Sequence, residues 1–509
     1  MRIRSVSRRL AGLWIAFAGG ACSPAAPPSA DAAHGAVAIT HATIVDMTGA
    51  PPRSGMTVVA VGGRITAVGP SDSVMPPKQA TIVDGTGKYV IPGLWDMHMH
   101  SVFDPYERTI VLPLLVANGV TGVRDMAGDC FTACADNDTA YDPLHGPSID
   151  LVHRWQHDIA TGTLIGPRMI VGSDMLDGPK PIWPGGLAIH DTAEARAAVR
   201  KEQSRGADFI KVYSGLPRAE YMAIADEAKR VGIPFGGHVP DAVSVADAAD
   251  AGQLSMEHLI KIMDACSSKP TETARGWAEV RSSRTASPAE RHALVRRAMT
   301  LSNRTFSLAA CQPLFERFVR DHTWQVPTLT VLRGSYYAQD SSFRADPRVA
   351  YMAKADTAWW MGTVRARAPF FTATDVATAK EYFRHHEEIV GAMHRAGVGV
   401  LAGTDVSNPW VYWGFSLHDE LAMFVDAGFK PLEALQAATI EPARFLHATD
   451  SLGTVAPGKV ADLVLLDGDP LADIHNTQRI HAIIVRGQLV DSAARQRLMD
   501  GARVAAHKL

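Results

Sequence analysis

Between about residues 93 and 445, short β-like runs alternate with long helical patterns, and this alternation constrains the fold more than any other feature of the chain. The run Val90 to His100 comes first. Candidate strands then follow at Gly119 to Asp125, Arg168 to Ser173, Asp208 to Ser214, Ile233 to His238, Leu254 to His258, Val326 to Leu332 and Val398 to Asp405. Helical stretches such as Thr192 to Arg205 and Arg218 to Val231 lie between them. Eight strand–helix alternations predict an α/β fold in which eight parallel strands close into a (β/α)8 TIM barrel. Barrel connections at 267–325 and 335–385 are long, and long loops at strand C-terminal ends usually build a site.

The flanks read differently. Residues 36–92 contain short β runs, with Gly62-Gly63 marking a hairpin between Thr57–Val61 and Arg64–Val68. β character returns after residue 450, in Ala461 to Asp467, His481 to Arg486 and Gln488 to Val490. Neither piece has enough strands for a core of its own. Segments 36–92 and 450–492 are therefore expected to join as one small β-sandwich, with the barrel of 93–449 inserted between them and a solvated helix over 493–509.

The first 21 residues read as a signal peptide: Arg2, Arg4, Arg8 and Arg9 precede a short apolar run from Leu10 to Ala21. Ala21-Cys22-Ser23 is similar to a lipoprotein cleavage site, and Ser7-Arg8-Arg9-Leu10 to a twin-arginine export signal. Residues 22–35, rich in Ala and Pro, read as a tether. The expected location is the periplasm, free or anchored to the outer membrane through a lipidated Cys22. The other cysteines, Cys130, Cys134, Cys266 and Cys311, form an even set, and local loop closure favours the pairs Cys130–Cys134 and Cys266–Cys311 over four free thiols. The net charge of −3 and the absence of a long basic run give no nucleic-acid footprint.

Polar residues stand where the barrel strands end. His98 and His100, two apart on a strand, face the same way. Lys211 lies between apolar neighbours on strand four, His238 ends strand five, His258 ends strand six and Asp405 ends strand eight. A barrel brings these ends to one face. Four histidines and a carboxylate there suit Zn²⁺ or a similar ion. A buried ammonium is unfavourable by several kcal/mol and cannot bind a cation, so Lys211 asks for a different chemical form.

With these residues the chain resembles the amidohydrolase superfamily of metal-dependent hydrolases over nearly all of its mature length. The resemblance is carried by Val90-Ile91-Pro92-Gly93-Leu94-Trp95-Asp96-Met97-His98-Met99-His100, by Pro431 to Thr439, and by Pro457-Gly458-Lys459-Val460-Ala461-Asp462-Leu463. It implies a carbamylated Lys211, formed with CO2, bridging two divalent ions expected to be zinc. His98, His100 and Asp405 would hold the more buried ion, and His238 and His258 the more exposed one. A bridging hydroxide would be the nucleophile, and Asp405 would move its proton to the leaving group. The substrate implied is a small-molecule amide, as in the dipeptidase and N-acyl-amino-acid hydrolase branch, and a homo-oligomer is the expected assembly. A lactonase or phosphotriesterase on the same centre, and a non-catalytic substrate-binding lipoprotein, stand as alternatives.

Other residues carry two readings. Tyr213 shares a strand face with Lys211, so it either donates to a tetrahedral oxyanion or is an ordinary half-buried strand Tyr. Arg218 or Arg333 would bind a substrate carboxylate or form a surface ion pair. Trp410, Tyr412, Trp413, Tyr336, Tyr337, Trp359 and Trp360 would line an aromatic pocket or pack under long loops. His385-His386-Glu387-Glu388 does not match His-Glu-x-x-His. His153 and His157 take no role, and His418 and Glu420 are expected to orient helix eight.

Overall fold

The computed structural model describes residues 35–102, 106–126, 148–183, 185–283 and 285–508. The expected signal peptide, Cys22, most of the tether, and the Cys130–Cys134 pair lie outside these residues.

The N-terminal strands are β1 (Val37–Ile44), β2 (Arg53–Val61), β3 (Arg64–Pro70), β4 (Thr81–Asp84) and β5 (Tyr89–Pro92). The Gly62–Gly63 turn, with φ of 57° and 76°, joins β2 to β3 as an antiparallel hairpin. The next strands are β6 (Leu94–Met99), β7 (Val120–Asp125), β8 (Arg168–Val171), β9 (Leu176–Asp177), β10 (Leu187–Ala188), β11 (Ile210–Val212), β12 (Phe235–Gly237), β13 (Ser255–Glu257) and β14 (Trp324–Val326). The chain returns to β structure with β15 (Leu463–Leu466), β16 (Ile480–Val485) and β17 (Gln488–Val490).

Strands from the two ends of the chain share one sheet, ordered β17-β16-β15-β5-β1-β2-β3, with β4 paired to β1. The junction is the antiparallel pair β5–β15, in register from Pro92 opposite Leu463 to Tyr89 opposite Leu466. One face of this sheet encloses its own apolar cluster, including Ile39, Val58, Ile65, Val90, Leu463 and Ile484. The expected sandwich is thus a single connected sheet by its hydrogen bonding, because β5 bridges the two groups of strands.

The middle of the chain is a mixed α/β unit of parallel strands. β6, β7 and β8 pair side by side, as do β11, β12, β13 and β14. Parallel bridges complete the circuit: Gly172 with Phe209, Gln325 with Val400, and Met99 with Val406. Eight parallel segments therefore surround one axis, the last formed by residues 400–406. Helices alternate with them. The helix Thr192–Ser204 starts at Asp191, whose carboxylate accepts from Ala193 N and Glu194 N, and Arg218–Val231 stops at Gly232 with φ 74°.

Two expectations change. The seventh strand is Trp324–Val326, and the apolar residues after it form a helix, Leu329–Tyr337, rather than continuing the strand to Leu332. Pro327 and Thr328, the latter at φ 48°, separate the two. The C-terminal helix Ser492–Lys508 is also not free in solvent: it buries Met499, Ala502 and Ala506, and Arg495 Nε donates to Ala117 O at 2.6 Å. Cys266 and Cys311 are joined by a disulfide, as expected. No helix among the described residues is long and apolar enough to cross a membrane.

Candidate metal centre

The C-terminal ends of the parallel strands bring the predicted residues together. His98 lies near the end of β6 and His100 directly after it, with His98 fully buried. Asp405 closes the eighth segment, and its Oδ1 lies 3.3 Å from both His98 Nε2 and His100 Nε2. Ligand atoms of His98, His100 and Asp405 fall within 4.8 Å of one another. His258 follows β13, with Nδ1 3.6 Å from Asp405 Oδ2 and its ring 4.5 Å from that of His98. His238 follows β12, its ring 4.9 Å from that of His258. Lys211, fully buried on β11, runs beside Gly237, where an added Cβ would lie 3.0 Å from Lys211 Cδ and 2.3 Å from Val212 O. Gly237 is thus required both by that approach and by its φ of 128°. Gly403 plays the same part on the eighth segment, since a Cβ there would meet His98 N and Cβ at 2.9 Å.

Side chains that the sequence reading did not single out hold this face in place. Glu257 Oε2 accepts from His98 Nδ1 at 2.7 Å. Arg124 holds both Glu257 oxygens through Nη2, at 3.0 and 3.1 Å, and Ser255 Oγ donates to Oε1 at 2.7 Å. Burial alone would raise the Glu257 carboxyl, but the Arg124 charge and then His98 outweigh it and hold it well below the ordinary range. Asp96 accepts from His98 N, Thr404 N and Thr404 Oγ1, at 3.1, 3.0 and 2.6 Å, and so ties β6 to the segment bearing Asp405. Burial, opposed by these bonds, lifts the Asp96 carboxyl to about 7. The one available signal was an acid inside an apolar strand next to a candidate ligand, as in Asp96-Met97-His98 and Glu257-His258.

The donor set fits a divalent cation. Ionised Glu257 only accepts, so His98 donates from Nδ1, and His98 Nε2, buried and without a hydrogen-bond partner among the described residues, faces Asp405 Oδ1. A cation between these two atoms, 3.3 Å apart, would give both a partner. Thr328 Oγ1 donates to Pro327 O at 2.8 Å, so it accepts from His258 Nδ1 at 2.7 Å and leaves His258 Nε2 with a lone pair. His238 Nδ1 bonds Ser214 Oγ at 2.8 Å. Burial pushes His258 down to about 3, and burial followed by the nearby His258 and Lys211 charges holds His238 well below the usual histidine value. Both are neutral near pH 7, as ligation requires. The backbone here is strained: His258, Thr328 and Asp405 have φ of 60°, 48° and 58°. Non-glycine residues adopt such values where surrounding structure forces them, and they cluster at functional sites.

The remaining candidates divide. Tyr213 stacks on the His238 ring at 4.1 Å and so borders the centre. Arg218 makes an exposed ion pair with Asp247 at 2.7 Å, the surface-pair reading, whereas Arg333 pairs with Asp419 at 3.0 Å in a partly buried contact that Arg348 shares. Trp360 packs against Trp410 and Tyr412, and Tyr106 against Trp413, as a buried aromatic layer under the helices. Tyr336 and Tyr337 pack on Tyr382 and Phe383, while Trp359 is partly exposed. His386 is buried with Nδ1 on Tyr382 O, away from the centre. His418 bonds Asn118 O and Thr477 Oγ1, which fixes the helix Phe415–Asp426.

A ring of parallel strands with histidines and a carboxylate at one mouth defines a class of hydrolase fold, and comparison with known proteins places the chain within it. Residues 89–490 match the model of the amidohydrolase family, and the chain belongs to that family. Ochratoxinase of Aspergillus niger is 27% identical over 254 residues, 42% of this chain and 52% of the relative; the chain thus spans about half the length of the curated relatives it matches. A bottromycin amidohydrolase superposes with a TM-score of 0.70 at 23% identity, covering 92% of this chain and 90% of the other. A Xaa-Pro dipeptidase with bound methionine in its active site gives 0.60 at 18%, covering 90% and 100%. At these identities the two structures show a shared fold.

Proposed function

We propose that the protein is an exported hydrolase that cleaves the amide bond of a small dipeptide or N-acyl amino acid at a centre of two divalent ions, with zinc the expected metal. The observation that carries this reading is the meeting of His98, His100 and Asp405 within 4.8 Å, with the His98 tautomer set by Glu257. His98, His100 and Asp405 would hold one ion and His238 and His258 the other. Lys211 would join them as a carbamate: its ammonium loses one proton, the neutral Nζ adds to the carbon of CO2 and a second proton leaves to solvent, so that an anion replaces a buried cation. Bound divalent ions polarise a carbonyl and lower the pKa of water, which is the chemistry amide hydrolysis needs.

The chain's own residues do the rest. Asp405, near three imidazoles, takes the proton of the attacking water and delivers it to the departing amine nitrogen. Tyr213, packed on His238, donates to the oxyanion of the tetrahedral carbon. Glu257 and Thr328 hold the rings of His98 and His258. Family membership supports hydrolysis, and the dipeptidase and the amidohydrolase among the fold relatives support an amide substrate. The Cys266–Cys311 disulfide supports export to an oxidising compartment.

The test is a turnover screen of zinc-loaded protein against dipeptides, N-acyl amino acids, lactones and phosphotriesters. The expected result is hydrolysis of the amides, with at least a hundredfold loss in Asp405→Asn. Turnover confined to lactones or phosphotriesters would replace the substrate class, and no turnover of any class would favour a binding protein.

A further inference from the structure

A cavity of about 790 Å3 opens at the opposite mouth of the strand ring. Its walls come from strand beginnings: Trp95 in β6, Arg168 at the start of β8, Phe209 just before β11 and Ser255 at the start of β13. The candidate metal residues stand at the other ends of these or neighbouring strands. The volume lies within the range of small-molecule sites, about 300–1,000 Å3. In barrels of this kind the strand beginnings usually serve stability, so a cavity here is not part of the metal centre.

The lining is chemically divided. Trp95, Phe209 and Phe445 provide flat apolar surface, with the Arg124 guanidinium 5.4 Å from the Phe209 ring and 5.1 Å from the Phe445 ring. Arg64 and Lys229 are exposed at the edge, and Arg168 is half-buried in the wall. Arg168 Nε is buried and makes no hydrogen bond among the described residues. The nearby Asp462 carboxylate accepts from Arg486 N at 2.6 Å, and Asp208, the acid among the lining residues, accepts from Val171 N at 2.8 Å. Donors and positive charge thus outnumber acceptors. An anionic ligand oxygen meeting the half-buried Arg168 guanidinium would complement this charge.

We propose that this cavity is a second ligand site, taking a small apolar carboxylate whose flat body lies on Trp95, Phe209 and Phe445 and whose carboxylate meets Arg168 with Lys229 and Arg64 at the edge. The assignment is independent of the chemistry at the metal centre. Arg124 lies in its wall and also holds Glu257, so the bound acid sits two side chains from His98.

Calorimetric titration of 2-naphthoate into the full-length, metal-loaded protein tests it. Saturable binding is expected that persists after the metal is removed by a chelator, weakens at least tenfold in Arg168→Met and about threefold in Lys229→Met, and is lost when neutral 2-naphthamide replaces the acid. Lys229 is exposed near the end of the helix Arg218–Val231, so its variant gives a reading even if Arg168→Met does not fold. Binding that vanishes on chelation would place the acid at the metal centre and overturn the proposal. So would the absence of saturable binding, or affinity unchanged in Lys229→Met and in any folded Arg168→Met.

Discussion

Glu257 is a fully buried carboxylate, a state unfavourable by several kcal/mol unless paired, and Arg124, Ser255 and His98 all pair with it. Its charge fixes which nitrogen of His98 carries the proton. Glu257→Gln keeps the shape but loses the charge, so His98 is free to take the other tautomer. Metal affinity is expected to fall about 10–100-fold, measured by chelator competition, with the far-UV spectrum unchanged. Affinity equal to the parent's would show that His98 is oriented by the backbone alone. The positive φ at His258 and Asp405 belongs to the same scale, because it aims both side chains inward at the end of their strands.

Among the elements, the helix Phe415–Asp426 clamps the start of the helix after β14. Glu420 accepts from Leu329 N and Thr330 N, each at 2.8 Å, and lies 3.1 Å from Thr330 Oγ1, which in turn reaches Thr404 O at 3.1 Å. One hydroxyl hydrogen cannot serve both oxygens. Thr330 Oγ1 donates to one of them at a time, which leaves burial to dominate the Glu420 carboxyl. Burial raises that carboxyl to about 8. The folded state therefore holds a proton that the unfolded chain releases near its ordinary value of 4.5. Stability from this group is complete below that value and is lost as pH rises to about 8, by up to about 5 kcal/mol. Denaturation midpoints should fall over that interval, and Glu420→Gln should flatten the fall. An equal slope in the variant would mean that Glu420 is ionised in the folded protein.

The repeating strands and the His98, His100, Lys211, His238, His258 and Asp405 set were legible because period and strand-end position are local properties of a sequence. The seventh strand was misread because Val326 to Leu332 is mostly apolar and rich in β-branched residues, and a short run of this kind does not distinguish strand from helix. Its true boundary lies at Pro327, after which the Glu420 clamp starts the helix, a contact 91 residues away in sequence. Arg124 was illegible for the same reason, and Glu257 was marked only by its place beside His258: their value lies in a pairing 133 residues apart.

At the scale of the molecule, the two ends of the chain stabilise the strand ring from outside. β5 leads directly into β6 and pairs with β15, so the composite sheet fixes where the segment bearing His98 begins. The C-terminal helix docks through Met499, Ala502 and Ala506. Ala502→Asp places a carboxylate in that contact, and a loss of about 2–4 kcal/mol in unfolding free energy is expected. A denaturation midpoint equal to the parent's would show that the helix contributes nothing to the fold.

The central claim, a pair of ions joined through Lys211, is tested most directly by elemental analysis of purified protein alongside Lys211→Ala. Two divalent ions per chain in the parent, with loss of metal and turnover in the variant and partial recovery of turnover with added short carboxylic acids, is the result this structure predicts. One ion or none in a fully active parent, or two ions retained in an active Lys211→Ala, would contradict it.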